Sequence, residues 1–536
     1  MLKLLFVLIW LITESNSSAP IISIRDGKIK GEIYITSNTK SYYGFRGIPY
    51  ARPPVGNLRF ESPQMPEPWE GTLNAQNDSK SCITSFYIFN ENKESEDCLY
   101  VNVYTPTIQE NAKLPVMFWI YGGDFITGNS SKNYYGPDFL IEKDVVLVTF
   151  NYRLGPFGFI ATGDAILPGN YGLKDQNLAL QWVRENIAYF GGDPNKVTIF
   201  GQSAGSASVS FHLLSKKSSG LFRAAIMESG SALDMWAINR DPKSYALKLA
   251  SDAGYDGSNV TTEVKEFLKR KSVSDIVEVT DWIKLNWPVK EVEHADAFIQ
   301  DLNYELFKNG NFNRVPTIIG MCSQESLAFL LQPIVAMLEA LIYDNTQELL
   351  LPIDFASKKN NTNEIIKEIK SIYLQENDTF SQNLTSYAQF ITDTFFTRGI
   401  LKQAELQSWF NPVYLYQFSY EGRTTLKGFI KGAGHSAELP FLFKMSNIAW
   451  NDTDTQNVLI QDQMVRMWTN FAKYLDPTPV KSELFSNITW TRFNPLFYNY
   501  LNIDSTLRMG FFLRQPAFGK WKRIFEEYAL QPYNTF

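Results

Sequence analysis

The residues most capable of chemistry lie in Gly201-Gln202-Ser203-Ala204-Gly205, a serine flanked by glycines two positions away on either side. The apolar, β-branched run Val197–Phe200 precedes it, and Ser206–Leu214 reads as a helix. Strand, sharp turn and helix are what a nucleophile elbow requires. The turn lifts the hydroxyl above a sheet edge, and the glycines remove side chains that would collide. A serine hydroxyl needs a base, and the base needs an acid to orient it. The chain has 3 histidines. His212 lies on the same predicted helix as the turn and cannot fold back onto Ser203, so it is expected to be a packed or surface residue. His294 stands in the polar stretch Glu291–Asp296 and is expected at the surface. His435 sits in Lys431-Gly-Ala-Gly-His-Ser-Ala-Glu-Leu-Pro440, a glycine-flanked loop of the kind that presents catalytic groups. Glu325 follows the apolar run Thr317–Ile319. The order Ser203, Glu325, His435 is one in which serine hydrolase triads occur, and it predicts acyl transfer through a covalent intermediate.

The elements that must hold these residues follow from hydrophobic patterning. Val116–Ile120, Val145–Phe150, Val197–Phe200, Ala224–Met227, Thr317–Ile319 and Val413–Gln417 are short, almost continuous apolar runs, as in strands covered on both faces. Helical periodicity occupies Asp175–Phe190, ended by Gly191-Gly192, and Met464–Tyr474. The alternation predicts an α/β fold with a mostly parallel central sheet and helices on both faces. The stretches 235–310 and 330–410 read as helical insertions that cap the sheet. No repeat, low-complexity tract or Pro/Gly-rich linker divides residues 19–536, so one domain is expected.

Composition bounds the function. The 536 residues carry 50 Lys+Arg against 56 Asp+Glu, a net charge of −6, with no basic footprint for nucleic acid. With 3 Cys and 3 His, a zinc cluster is not expected, and the chemistry above needs no metal or organic cofactor. Residues 1–18 read as a secretory signal: Lys3, the apolar run Leu4–Ile12, then small polar residues. No other apolar run is long enough to span a membrane, and the C-terminus has no anchor or retention signal. The expected location is therefore extracellular. There Cys82 and Cys98 could pair across a short polar loop, leaving Cys322 as a buried thiol. Asn77, Asn129, Asn259, Asn360, Asn377, Asn383, Asn451 and Asn487 begin glycosylation sequons. Oligomeric state is not readable.

These residues, together with Tyr43–Phe60, Glu96–Tyr104, Asn151–Gly155, Gly169–Asn177 and Phe190–Asn195, resemble the type-B carboxylesterase and cholinesterase family of α/β-hydrolases. The likeness runs from about Ile21 to Tyr528 and is similar to insect-type esterases. It implies a triad of Ser203, Glu325 and His435, a disulfide Cys82–Cys98, and supporting roles for Ser229 and for Gln202. It also implies an oxyanion hole formed by Gly123, position 124 and Ala204, with Gly122 allowing close approach. The loop between Cys82 and Cys98 lacks the tryptophan, and position 202 the glutamate, with which cholinesterases favour a cationic substrate. Non-catalytic relatives tend to lose a triad member; all three are present here.

The resemblance departs most at Tyr121-Gly122-Gly123-Asp124-Phe125, where Asp124 replaces the family's usual Gly or Ala. An aspartate keeps its backbone N–H, but its carboxylate opposes a developing oxyanion. Three outcomes stay open: a tolerated variant in a working esterase of hydrophobic carboxylic esters, an enzyme with altered activity toward organophosphates (turnover or sequestration), or a weakly active binding protein. A juvenile-hormone-esterase-like or odorant-ester hydrolase is an alternative within the first class. The expected partner is a small-molecule ester.

Overall fold

The computed structural model describes residues 19–536 except 85–89, 282–286, 331, 354, 356–360, 423–429 and 449–452. The expected signal segment, Asn360 and Asn451 lie outside the described residues. An 11-stranded mixed sheet forms the centre. In chain order its strands are β1 (Glu32–Ile35), β2 (Ser41–Pro49), β3 (Tyr100–Thr105), β4 (Leu114–Ile120), β5 (Val146–Phe150), β6 (Gly192–Gln202), β7 (Ala224–Glu228), β8 (Thr317–Cys322), β9 (Val413–Phe418), β10 (Tyr500–Ile503) and β11 (Arg508–Gly510). Their spatial order is β11-β10-β9-β8-β7-β6-β4-β5-β3-β2-β1. From β10 to β5 every pairing is parallel; both flanks are antiparallel. A separate three-stranded sheet lies near the N-terminus.

Each predicted apolar run is a strand of the parallel centre. The physical reason is burial on both faces: Val116 to Ile120 and Val146 to Val148 are fully buried. The antiparallel flanks carry Tyr, Glu, Ser and Asn among their apolar residues, and periodicity alone does not single them out.

Helix α1 (Tyr171–Asn186) continues as a 3-10 turn to Phe190 and stops at Gly191, whose φ of 76° supplies the left-handed cap. Helix α2 (Ala204–Leu214) follows β6 directly. The insertions are helical: Pro242–Asp252, Thr261–Arg270 and Val273–Val279 in the first, and Pro333–Asn345, Thr362–Tyr373, Leu384–Thr392 and Arg398–Ser408 in the second. Met464–Tyr474 is the second half of a longer helix, Thr455–Tyr474.

Cys82 and Cys98 form a disulfide, and Cys322 is free and buried. Asn77, Asn259, Asn377 and Asn487 are exposed. Asn129 and Asn383 are half-buried, their side-chain oxygens accepting from the N–H groups of Ser131 and Ser386. Among the described residues no helix is long and apolar enough to cross a membrane.

Candidate active site

Register brings the site together. Gln202 pairs with Glu228, and Glu228 with Gly320, so β6, β7 and β8 finish at one level. Loops leaving that level carry Ser203 and Glu325, as expected of candidate site residues at the carboxyl edge of a parallel sheet. Ser203 sits between β6 and α2 with φ 59° and ψ −125°, a conformation that costs a non-glycine residue roughly 1–3 kcal/mol. The surroundings enforce it. The Ser203 N–H donates to the Glu228 carbonyl at 2.8 Å, and its carbonyl accepts from Ala207 at 2.9 Å. Gly205 is obligatory here, because a Cβ would lie 2.0 Å from the Ile120 carbonyl oxygen.

Glu325 and His435 meet as the sequence order requires. His435 Nδ1 lies 2.6 Å from Glu325 Oε2, with the glutamate fully buried and the imidazole 10% exposed. The Cys322 N–H donates to Glu325 Oε1 at 2.7 Å, so both carboxylate oxygens are engaged. The loop bearing His435 is tied to the loop bearing Glu325: Gln324 N–H donates to Ala433 O at 2.9 Å, Ala433 N–H to Ser323 Oγ at 2.9 Å, and His435 N–H to Glu325 O at 3.2 Å. The rings of Phe396 and Phe329 lie 4.8 and 5.9 Å from the imidazole and give it an apolar wall.

The other nitrogen of His435 faces Gln202, whose Nε2 is 3.0 Å from His435 Nε2. With Nδ1–H donated to the carboxylate, Nε2 keeps its lone pair and accepts from the Gln202 amide. Gln202 therefore touches the His435 ring itself. No hydrogen bond joins Ser203 Oγ to His435 among the described residues. The resemblance implies that Ser229 supports the triad. It takes φ 56° and its N–H donates to Gly320 O at 2.8 Å, but its hydroxyl is buried without a hydrogen-bond partner and bonds to no triad member.

The backbone N–H groups of Gly123, Asp124 and Ala204 have no backbone acceptor among the described hydrogen bonds, which leaves them available to an oxyanion. Gly122 is wedged against Ser203; a Cβ there would lie 2.5 Å from Gln202 O and 2.9 Å from Ser203 Cβ. Asp124 adopts φ 55°, a left-handed value that Asp tolerates better than most residues. Its Oδ1 accepts from the indole N–H of Trp287 at 3.1 Å. Burial pushes its carboxyl up to about 6, against the opposing pull of that indole and of His435. The tether to Trp287 joins residues far apart in sequence, and no local motif announces it.

The other histidines lie outside the site. His212 is fully buried on α2, with Nδ1 2.7 Å from Ser218 Oγ and Nε2 3.1 Å from Gln176 Oε1. Burial lowers its pKa to about 3, so it is neutral. The polar stretch around His294 predicts a surface position; its side chain is instead only 17% exposed, because it leans on the buried Glu291 at 3.4 Å. One acid has no counterpart among the sequence-predicted residues. Glu438 stands three residues after His435, inside the apolar run Ala437–Phe441, and is completely buried. A lone charge in such a run is the signal that could have found it.

Comparison with known proteins agrees with this geometry. Residues 18–521 match the Carboxylesterase family. The chain is 35% identical over 513 residues to a juvenile hormone esterase of Tribolium castaneum, covering 89% of this chain and 86% of that protein. It is 33% identical over 505 residues to venom carboxylesterase-6 of Apis mellifera, covering 88% and 89%. Among solved structures, juvenile hormone esterase from Manduca sexta with OTFP covalently attached superposes with a TM-score of 0.84 at 27% identity, covering 95% of this chain and all of that one. The chain belongs to the carboxylesterase family. It has the α/β-hydrolase fold and is a carboxylic ester hydrolase.

Proposed function

We propose that this protein is a secreted serine carboxylesterase that hydrolyses hydrophobic carboxylic esters through an acyl-enzyme on Ser203. The observation that carries the reading is a strained elbow serine level with a buried Glu325–His435 pair at 2.6 Å. In this reading Gln202 yields the His435 lone pair to the Ser203 hydroxyl. Ser203 attacks the ester carbonyl as His435 takes its proton, and Glu325 holds the imidazolium. The N–H groups of Gly123, Asp124 and Ala204 receive the oxyanion. His435 returns the proton to the leaving alcohol, and the same base then activates water to release the acid. The rings of Phe329 and Phe396 favour an apolar acyl or alcohol group. The similarity to juvenile hormone esterases supports an apolar ester without selecting one, since similar relatives carry other substrate names. The apolar N-terminal run, the disulfide and the exposed sequons support an extracellular setting.

The test is stoichiometric labelling by a fluorophosphonate. Labelling of the wild type that disappears in Ser203→Ala supports the reading; a folded wild type that takes no label overturns it. A second reading rests on Asp124, an acid close enough to His435 to feel its charge. Its carboxylate directs water at a phosphorylated Ser203, so that the enzyme turns over organophosphates. Spontaneous recovery after organophosphate exposure must then be faster than in Asp124→Gly; equal recovery rates would remove this reading.

A further inference from the structure

The insertion that follows Glu325 carries a helix, α3 (Pro333–Asn345), with two apolar sides. Ala336 and Ala340 are fully buried, and the Tyr343 ring lies 5.6 Å from Tyr387 and 5.8 Å from Phe390, so one side faces the body of the protein. The other side bears Ile334, Val335, Leu338, Leu341 and Ile342, each between 37% and 57% exposed. Their i, i+1, i+4, i+7, i+8 spacing places them on one stripe. Among the described residues no other helix exposes as many large apolar side chains. The chain after the helix adds Leu349 and Ile353, both exposed. A helix that is apolar all round is one that is covered all round, and a contiguous exposed stripe marks an interaction surface.

The chemistry of the stripe selects its cover. It is wholly aliphatic and offers no side-chain donor or acceptor. Protein interfaces draw their binding energy from Trp, Tyr and Arg and carry a hydrogen bond about every 100–200 Å². Residues 329–353 contain Glu339, Asp344 and Glu348 and no Lys, Arg or His. Asp344 accepts from the N–H groups of Phe380 and Ser381 at 3.0 Å each, and Glu339 is half-buried, so no charge interrupts the stripe. Two copies meeting here would bring like charges together at the rim, and an anionic lipid surface would repel them. At 13 residues the helix is about 20 Å long, too short to span a bilayer and long enough to lie in its interface.

We propose that the outer side of α3 docks this protein on a zwitterionic lipid surface and delivers esters dissolved in that surface to Ser203. The delivery rests on the esterase reading given above. Phe329 connects the helix with the site. It stands five residues before Ile334 and is 54% exposed, and its ring lies 5.9 Å from the His435 imidazole and 6.3 Å from Phe396. Five residues reach at most about 18 Å, so the stripe starts within that distance of the apolar wall of the imidazole. An ester leaving the lipid there exchanges aliphatic side chains for aromatic rings.

The experiment floats the full chain with phosphatidylcholine vesicles and assays a long-chain p-nitrophenyl ester embedded in them. Wild type must float with the vesicles. Leu338→Gln combined with Ile342→Gln must weaken binding by at least about tenfold, because two half-exposed aliphatic side chains are withdrawn from lipid. Hydrolysis of the embedded ester must fall with binding, while hydrolysis of dissolved p-nitrophenyl acetate stays at the wild-type rate. Leu459→Gln, which removes an exposed leucine from the helix Thr455–Tyr474, must bind as wild type does. Wild type that does not float, or a double variant that floats equally well, overturns the proposal. So does tighter binding to vesicles containing phosphatidylserine. A dimer in sedimentation equilibrium that the double variant dissociates would give the face to a second copy and also overturns it. Loss of flotation with unchanged hydrolysis of the embedded ester overturns the delivery. Wild type that floats but takes no fluorophosphonate label on Ser203 removes the esterase reading and leaves the docking in place.

Discussion

Replacement of Asp124 by asparagine removes a charge while keeping an oxygen for the Trp287 indole. The carboxyl is raised from 3.8 to about 6, chiefly by burial. A shift of about 2 units is worth about 3 kcal/mol, since each unit is about 1.36 kcal/mol. Because the folded state holds this proton more tightly than the unfolded chain, the associated stability is fully present below about pH 4. It is lost as the pH rises through about 6. Asparagine has no such loss. The difference between Asp124→Asn and wild type should therefore be flat below pH 4, grow in favour of the variant by about 3 kcal/mol between pH 4 and 7, and stay constant above. At an unfolding entropy of roughly 2.1 cal/mol/K per residue, a chain of 536 residues converts that into a Tm difference of about 3 °C. Differential scanning fluorimetry of both proteins from pH 4 to 8 measures it. A Tm gap independent of pH, or one that narrows as the pH rises, would show that Asp124 is not held in a desolvating site. The same charge opposes the oxyanion, so the ratio of variant to wild-type labelling rate should also rise through about pH 6.

Two further predictions concern the residues around the nucleophile. Glu325→Gln keeps an oxygen for the Cys322 N–H but presents an amide donor to His435 Nδ1. That forces the wrong tautomer and should lower kcat on a p-nitrophenyl ester by about 10⁴-fold with folding retained; stopped-flow hydrolysis checks it, and a loss below about tenfold would contradict the orienting role. Gly205→Ala places a Cβ where the Ile120 carbonyl oxygen stands 2.0 Å away, so β4, β6 and α2 cannot keep their spacing. That variant should lose fluorophosphonate labelling and melt earlier by scanning fluorimetry, and a fully labelled, equally stable protein would refute the packing account.

Much of the fold and of the candidate site is legible in the amino-acid sequence. The parallel strands announce themselves because both of their faces are covered, which demands nearly unbroken apolar runs. The antiparallel flanks do not, because partial exposure in β1, β2 and β11, and the buried but hydrogen-bonded Asn102 in β3, interrupt the apolar pattern. His212 is excluded from the site by chain geometry alone, since a residue on the helix that leaves the elbow cannot turn back upon it. His294 misleads because its polar neighbourhood hides one buried acid, Glu291, against which the imidazole packs. Ser229 carries a supporting role by resemblance, yet its hydroxyl makes no hydrogen bond to the residues it would support.

The sequence by itself determined the glycine-flanked turn at Ser203, the chain order of Ser203, Glu325 and His435, and the mostly parallel core. All three are local or sequential properties, written in glycine spacing and apolar runs. Tertiary structure decided everything that depends on meetings across long separations. It set Gln202 on the lone pair of His435, tethered Asp124 to Trp287, and hung Glu438 from the Cys322 thiol behind Glu325. None of these contacts has a sequence period or motif, because each joins elements that are neighbours only once the sheet has brought its strand ends level. They are also the contacts that set charge and hydrogen bonding around the imidazole, so the tuning of the site belongs to the fold.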